Sequence, residues 1–216
     1  MAVKDQTITN ESITPAAKMA PTPIFFIRHG ETDWNAEGRL QGQQDIPLNN
    51  RGREQARRNG RVLRAYLKNV GISTESLNFV SSPMARTRES MELLREELGL
   101  AREDYVQDER LKEITFGVME GKTLPEVDEL MPQYGAARRE DKWGFVHPEG
   151  ESYELLSLRI QSWLVTQSRP LVVVSHGGVL RVLRGLLEGH KTHVIPKLPV
   201  PQDEVFLWRD QKGCWL

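Results

Sequence analysis

Cysteine is nearly missing: the 216 residues hold one, Cys214. A single thiol excludes a disulfide framework and a thiolate metal cluster, and it fits a reducing cytoplasm. Long apolar runs are missing too. The uninterrupted apolar stretches are strand-sized, well short of the about 18 residues a membrane span needs, so no membrane partner is expected. Excess charge of either sign is absent, with 29 Lys and Arg against 30 Asp and Glu. That balance gives no global field for nucleic acid or an anionic surface and confines anion recognition to a local site. Several catalytic signatures are lacking as well. There is no HExxH pair, no aspartate cluster for a two-metal centre and no Walker A loop, so neither a metal nor a cofactor is expected. Ser175 does not sit in a G-x-S-x-G elbow, because Val173 takes the place of its first glycine.

Residues 1–22 lack periodicity, carry several threonines and prolines, and have neither the apolar core of a secretion signal nor the arginines of a transit peptide. They read as a disordered leader. Residues 23–216 read as one domain, long enough to bury roughly 70% of the unfolded surface.

What is present alternates. Ile24 to Ile27 form an apolar strand that runs directly into Arg28, His29 and Gly30. From an Asn49 or Asn50 cap, Ala56, Leu63, Tyr66, Leu67 and Val70 mark one helical face, ended by Gly71. Arg53, Arg57, Arg58 and Arg61 lie off that face and read as a solvated surface. A second strand, Leu77 to Val80, leads through Ser82 and Pro83 into a helix from about Met84 to Leu98, with Arg86 in its first turn. A cation there opposes the helix macrodipole unless an anion joins it. A short strand at Tyr105 to Gln107 and a short helix from Thr123 to Tyr134 follow. Gly135 to Gly150 reads as a polar segment without a core face, and 114–150 as a candidate lid. A helix from about Ser152 to Gln167 turns Leu155, Leu156, Ile160, Trp163 and Leu164 inward. Leu171 to Gly178 repeats the opening design, an apolar strand emptying into His176, Gly177 and Gly178, before a helix over Val179 to Leu187. Val205 to Trp208 and Cys214 to Leu216 read as an edge hairpin.

This order predicts an α/β/α three-layer sandwich with a mostly parallel sheet and an antiparallel margin. In such folds ligands gather beyond the carboxyl ends of the strands, where His29, Arg86 and His176 then converge. Two guanidiniums and two imidazoles make a poor cation site and a good site for a phosphate dianion.

At Arg28-His29-Gly30-Glu31-Thr32 with Trp34-Asn35 the chain resembles the histidine phosphatase superfamily, of phosphoglycerate mutase-like fold. The resemblance continues in order through Leu40-Gln41-Gly42, Ser81-Ser82-Pro83, Arg86, Glu113, Glu120-Gly121, Gly150-Glu151-Ser152 and Ser175-His176-Gly177-Gly178. It implies that His29 is the nucleophile and becomes phosphohistidine, that Arg28, Asn35, Arg86 and His176 cradle the phosphoryl group, and that Glu113 is the proton donor. Asn35 has an alternative as a turn cap. Gln41 and Ser82 either contact phosphate or shape their loops, and Gly177 is placed with the substrate-binding set.

The expected ligand is a phosphorylated small molecule or inorganic phosphate. Between Glu113 and Gly150 the chain is shorter than the mutase pattern and offers only Arg138, Arg139 and Lys142 to close over a phosphoglycerate, which favours a phosphatase over a mutase. A non-catalytic phospho-ligand scaffold is the third reading, opposed by the presence of both His29 and Glu113. Glu149 departs from the glycine that related phosphatases show there. Oligomeric state is open, with a homodimer among the alternatives.

Overall fold

The computed structural model describes Ala20 and residues 23–216, and the leader expected at 1–22 lies outside the described residues apart from Ala20. The elements are β1 (Ile24–Arg28), α1 (Asp33–Ala36), α2 (Asn50–Val70), β2 (Asn78–Ser81), α3 (Ala85–Glu97), β3 (Val106–Gln107), α4 (Leu124–Leu130), α5 (Pro132–Glu140), α6 (Tyr153–Leu164), β4 (Leu171–Ser175), α7 (Gly177–Glu188), β5 (Val205–Arg209) and β6 (Lys212–Trp215).

The strands form one sheet in the order β3-β2-β4-β1-β5-β6. β3, β2, β4 and β1 run parallel, while β5 and β6 close one margin antiparallel. β1 and β4 read as unbroken apolar runs because both of their faces are covered. Ile24 and Phe26 pack with Val173, Ile160, Trp163 and Leu183 on the α6–α7 side. Phe25 and Ile27 pack with Val172, Leu63, Leu67 and Leu94 on the α2–α3 side. The two-residue side-chain period of a strand thus feeds two separate cores.

The Asn49 side chain accepts from the Gly52 amide, and Gly71, in the left-handed region at φ 69°, ends α2. The arginines on that helix do more than face solvent. Arg53 pairs with Glu89 and Arg57 with Glu96, stapling α2 to α3.

Three expectations need correction. Thr123 to Tyr134 is not one helix: Pro132 starts a second one after Met131, so α5 takes in Gly135 to Glu140. The segment after it does reach the interior, since Gly135 and His147 are buried. Leu155 is 45% exposed, because Leu156, Ile160, Trp163 and Leu164 set the inward face of α6 one position away.

Candidate active site

The parallel register brings the predicted residues to one edge. Arg28 pairs with Ser175 at the ends of β1 and β4, and the His29 amide donates to the Ser175 carbonyl at 2.9 Å. His29 and His176 therefore leave the sheet side by side, with ring centres 5.3 Å apart. Gly30 is pressed against α2 so closely that a Cβ on it would stand 2.1 Å from the Gly52 carbonyl oxygen. Only glycine fits at this contact.

His29 is 2% exposed, and its Nδ1 lies 2.7 Å from the Gly30 carbonyl oxygen. A carbonyl only accepts, so Nδ1 carries the proton and Nε2 of the neutral ring holds the lone pair. Burial, then the charges of Arg86 and Arg28, hold the imidazole well below the ordinary histidine range. His176 is held down by the same causes in the same order, with His29 between the two arginines, and its Nε2 stands 2.8 Å from Ser82 Oγ.

Arg86 is fully buried on the first turn of α3. Its terminal nitrogens donate to the Gln44 carbonyl at 2.7 Å and the Gly42 carbonyl at 2.8 Å. Main-chain oxygens thus offset the misfit with the macrodipole, and Asp45 supplies the anion by accepting from the Ala85 amide at 2.9 Å. Arg28 donates to the Val200 carbonyl at 3.0 Å. Burial brings both guanidiniums down to about 10, against the opposing pull of Glu113, so both stay cationic at neutral pH. Arg28 Nε, Arg86 Nε, Gln41 Nε2 and His176 Nδ1 are all buried without a hydrogen-bond partner. These groups keep hydrogen-bonding capacity that no protein group uses.

The Glu113 carboxylate crosses to α7, where the Gly178 amide donates to Oε1 at 3.0 Å and Oε2 at 3.1 Å. Between these groups lies a cavity of about 130 Å³ that Arg28, His29, Asn35, Gln41, Arg86, Glu113 and Gly177 line together with Phe116 and Arg181. His176 and Ser82 do not line it. Ser82 touches the His176 ring, which is itself fully buried. Asn35 both caps and lines: its Oδ1 lies 3.3 Å from the Thr32 amide in a capping box, while the side chain borders the cavity. Gln41 is held by Thr32 Oγ1 at 3.3 Å. A larger cavity, about 640 Å³ beside Tyr105 and Trp163, contains none of the histidines.

Ser175, weighed above as a nucleophile, is fully buried and donates to the Leu111 carbonyl at 2.7 Å. It ties down the turn at Glu109 to Leu111 that leads to Glu113. Among the described residues no three His, Cys, Asp or Glu side chains stand together to hold a metal ion, and no helix is long and apolar enough to cross a membrane.

Several site residues escaped the sequence reading. Gln202 donates at 3.1 Å to both the His29 carbonyl and Asn35 Oδ1. Arg159, on α6, donates to the Arg110 carbonyl at 2.7 Å, to the Lys112 carbonyl at 2.8 Å and to Glu151 at 2.7 Å, while the Thr115 amide donates to that same carboxylate. Arg159 and Glu151 therefore clamp the chain on both sides of Glu113. Arg181 enters from one turn into α7. No local pattern marks any of the three, since their partners are distant in sequence.

Comparison with known proteins matches the chain over residues 24–215 to the histidine phosphatase superfamily (branch 1). The probable phosphoglycerate mutase GpmB of Escherichia coli O1:K1 / APEC is 36% identical over 202 residues, covering 89% of this chain and 87% of its own. A mycobacterial glucosyl-3-phosphoglycerate phosphatase superposes with a TM-score of 0.68 at 29% identity, covering 86% of this chain and 88% of that one. A putative α-ribazole-5′-P phosphatase from Escherichia coli K-12 shares the fold, with a TM-score of 0.73 at 24% identity over 91% of this chain and 95% of that one. Fold, ordered motifs and relatives agree, and the chain belongs to the histidine phosphatase superfamily, branch 1.

Proposed function

We propose that the protein hydrolyses phosphomonoesters through a phosphohistidine at Nε2 of His29. The observation that supports this most is the His29 Nδ1 hydrogen bond to the Gly30 carbonyl, which presents a neutral Nε2 beside two buried guanidiniums. Nε2 attacks phosphorus, the phosphorus–oxygen ester bond breaks, and the Glu113 carboxylic acid protonates the departing alkoxide. Arg28, Arg86 and Asn35, which line the cavity, face the charge that develops on the remaining phosphoryl oxygens, and the His176 ring stands beside His29. Fixed donors of this kind are worth several kcal/mol in phosphoryl transfer, of order ~3 for a single donor. In the second half, the Glu113 carboxylate takes a proton from water, the water oxygen bonds to phosphorus, and the phosphorus–nitrogen bond breaks to release inorganic phosphate.

The test is phosphoryl trapping during hydrolysis of p-nitrophenyl phosphate without added metal. Acid-labile label on the native protein and none on His29→Ala is the expected result. An unlabelled native enzyme that still turns over would end the proposal.

Mutase activity is the second reading, favoured by the 36% identity to a protein named a probable phosphoglycerate mutase. Interconversion of 3- and 2-phosphoglycerate, with and without 2,3-bisphosphoglycerate, separates it from hydrolysis. The absence of a long cationic insertion after Glu113 supports water as the acceptor.

A further inference from the structure

One side chain from far along the chain reaches the main chain of His29. Gln202 Nε2 gives one hydrogen to the His29 carbonyl at 3.1 Å and the other to Asn35 Oδ1, also at 3.1 Å. The phosphoryl-transfer reading gives Gln202 no task.

Gln202 follows a proline-rich strap in which Leu198 and Val200 each precede a proline and are biased to extended backbone. The fold grips this strap by its carbonyls. Pro196 accepts from Lys142 Nζ at 2.7 Å, Leu198 from Arg181 Nε at 2.9 Å and Val200 from Arg28 at 3.0 Å. Asn59, buried on α2, then donates to the Gln202 carbonyl at 3.0 Å. The backbone is therefore held where the Gln202 side chain leaves it.

Main-chain groups settle which end of each amide points where. A carbonyl only accepts, so the Gln202 atom facing His29 is its NH2 group. A backbone N–H only donates, so the Asn35 atom facing the Thr32 amide at 3.3 Å is its oxygen. The Asn35 oxygen thus takes two donors, and its NH2 group turns the other way. There it donates, at a long 3.5 Å, to Gln41 Oε1, which also accepts from Thr32 Oγ1 at 3.3 Å. Gln41 in turn keeps a buried Nε2 with no partner. Three amides run in one direction, each polarising the next, and the last two line the cavity with His29.

The direction matters to an anion. In this sense Asn35 offers the cavity an N–H donor; turned over about its last side-chain bond, it would offer an oxygen that repels a phosphoryl group. The flipped amide would also set its NH2 group against two donors, Thr32 and Gln202. Of the two bonds that oppose the flip, the one from Gln202 is the shorter.

We propose that Gln202 is a positioning residue: pinned by the His29 carbonyl, its NH2 group holds the Asn35 amide in the sense that turns N–H donors toward the phosphoryl group. The proposal rests on the phosphatase reading for what occupies the cavity.

Vanadate and inorganic phosphate test it as inhibitors of p-nitrophenyl phosphate hydrolysis. Vanadate takes up the five-coordinate geometry of the transfer step and phosphate does not, and neither inhibition constant depends on how much of a variant is folded. Gln202→Leu is expected to weaken vanadate about tenfold and phosphate less than about threefold, because oriented donors act most on the transition-state geometry. Gln202→Glu keeps the shape but sets oxygens against the His29 carbonyl and Asn35 Oδ1, and is expected to weaken vanadate by more than about tenfold. In an Asn35→Ala background, Gln202→Leu is expected to cost less than about twofold, since no amide is left to orient. Unchanged vanadate inhibition in both Gln202 variants, or a loss of equal size with and without Asn35, overturns the assignment. If p-nitrophenyl phosphate hydrolysis instead persists in His29→Ala, the underlying phosphatase reading fails, whatever vanadate shows.

Discussion

The imidazole of His29 stands edge-on to that of His176, with ring centres 5.3 Å apart and planes inclined at 64°. Both rings are buried among cations that keep them uncharged, and His147, buried on the far side of Phe116, is held down to about 4 mainly by burial. An unfolded chain protonates all three near pH 6.5, so below that value the unfolded state holds protons the folded state lacks. Stability is therefore expected to fall as pH drops from about 6.5 to 5, by up to about 1.4 kcal/mol per pH unit for each ring. Urea unfolding of the ligand-free protein across that window measures the slope, and a flat profile would mean that the rings are charged in the fold.

Glu113 is assigned the proton that an alkoxide needs and a nitrophenolate does not. Glu113→Gln is expected to lose about 10²–10⁴-fold on an alkyl phosphate and less than about tenfold on p-nitrophenyl phosphate. The check is kcat/KM across a series of leaving groups, where the dependence on leaving-group basicity should steepen.

Arg159 reaches no substrate, yet it and Glu151 hold the chain on both sides of Glu113. Arg159→Met leaves two carbonyls without their donor and the Glu151 carboxylate without its cation, at an expected loss of about 2–4 kcal/mol of stability. Its catalytic signature should follow Glu113→Gln in kind, with alkyl phosphates hit harder than aryl ones. Arg159→Lys should restore part of the alkyl activity. Equal losses on both substrate types would make Arg159 merely structural.

Glu149 adopts φ 61°, in the left-handed region that a Cβ disfavours. The glycine that related phosphatases show there is the residue this backbone suits. Glu149→Gly is expected to raise stability by about 0.5–1 kcal/mol, measured by thermal or urea unfolding.

Legibility in the sequence followed the range of the interaction. The strand ends at His29 and His176 were readable because each strand is covered on both faces and stays apolar up to the residue where the sheet stops. Arg86 was readable from serine and proline opening a helix. Gly135 to Gly150 was misread because its burial comes from isolated residues such as His147, which sits edge-on between Phe116 and Phe145 and leaves no periodic stripe. Arg159 and Arg181 carry nothing local to separate them from solvent-facing arginines, and only packing across the fold shows what they hold. Ser82 was left between phosphate contact and loop shaping, and only the fold shows its hydroxyl 2.8 Å from His176 Nε2.

The strap from Pro196 to Val200 grips Lys142, Arg181 and Arg28 through main-chain oxygens alone. Every residue type has such an oxygen, so the placement of the three cations depends on the path of the strap and hardly on its side chains. Leu198 and Val200 should then accept varied replacements with the charge layout intact, whereas removing the prolines that stiffen the path should blur it. The site's electrostatics are in this sense encoded by backbone shape, which makes the strap tolerant of point changes and sensitive to changes in length.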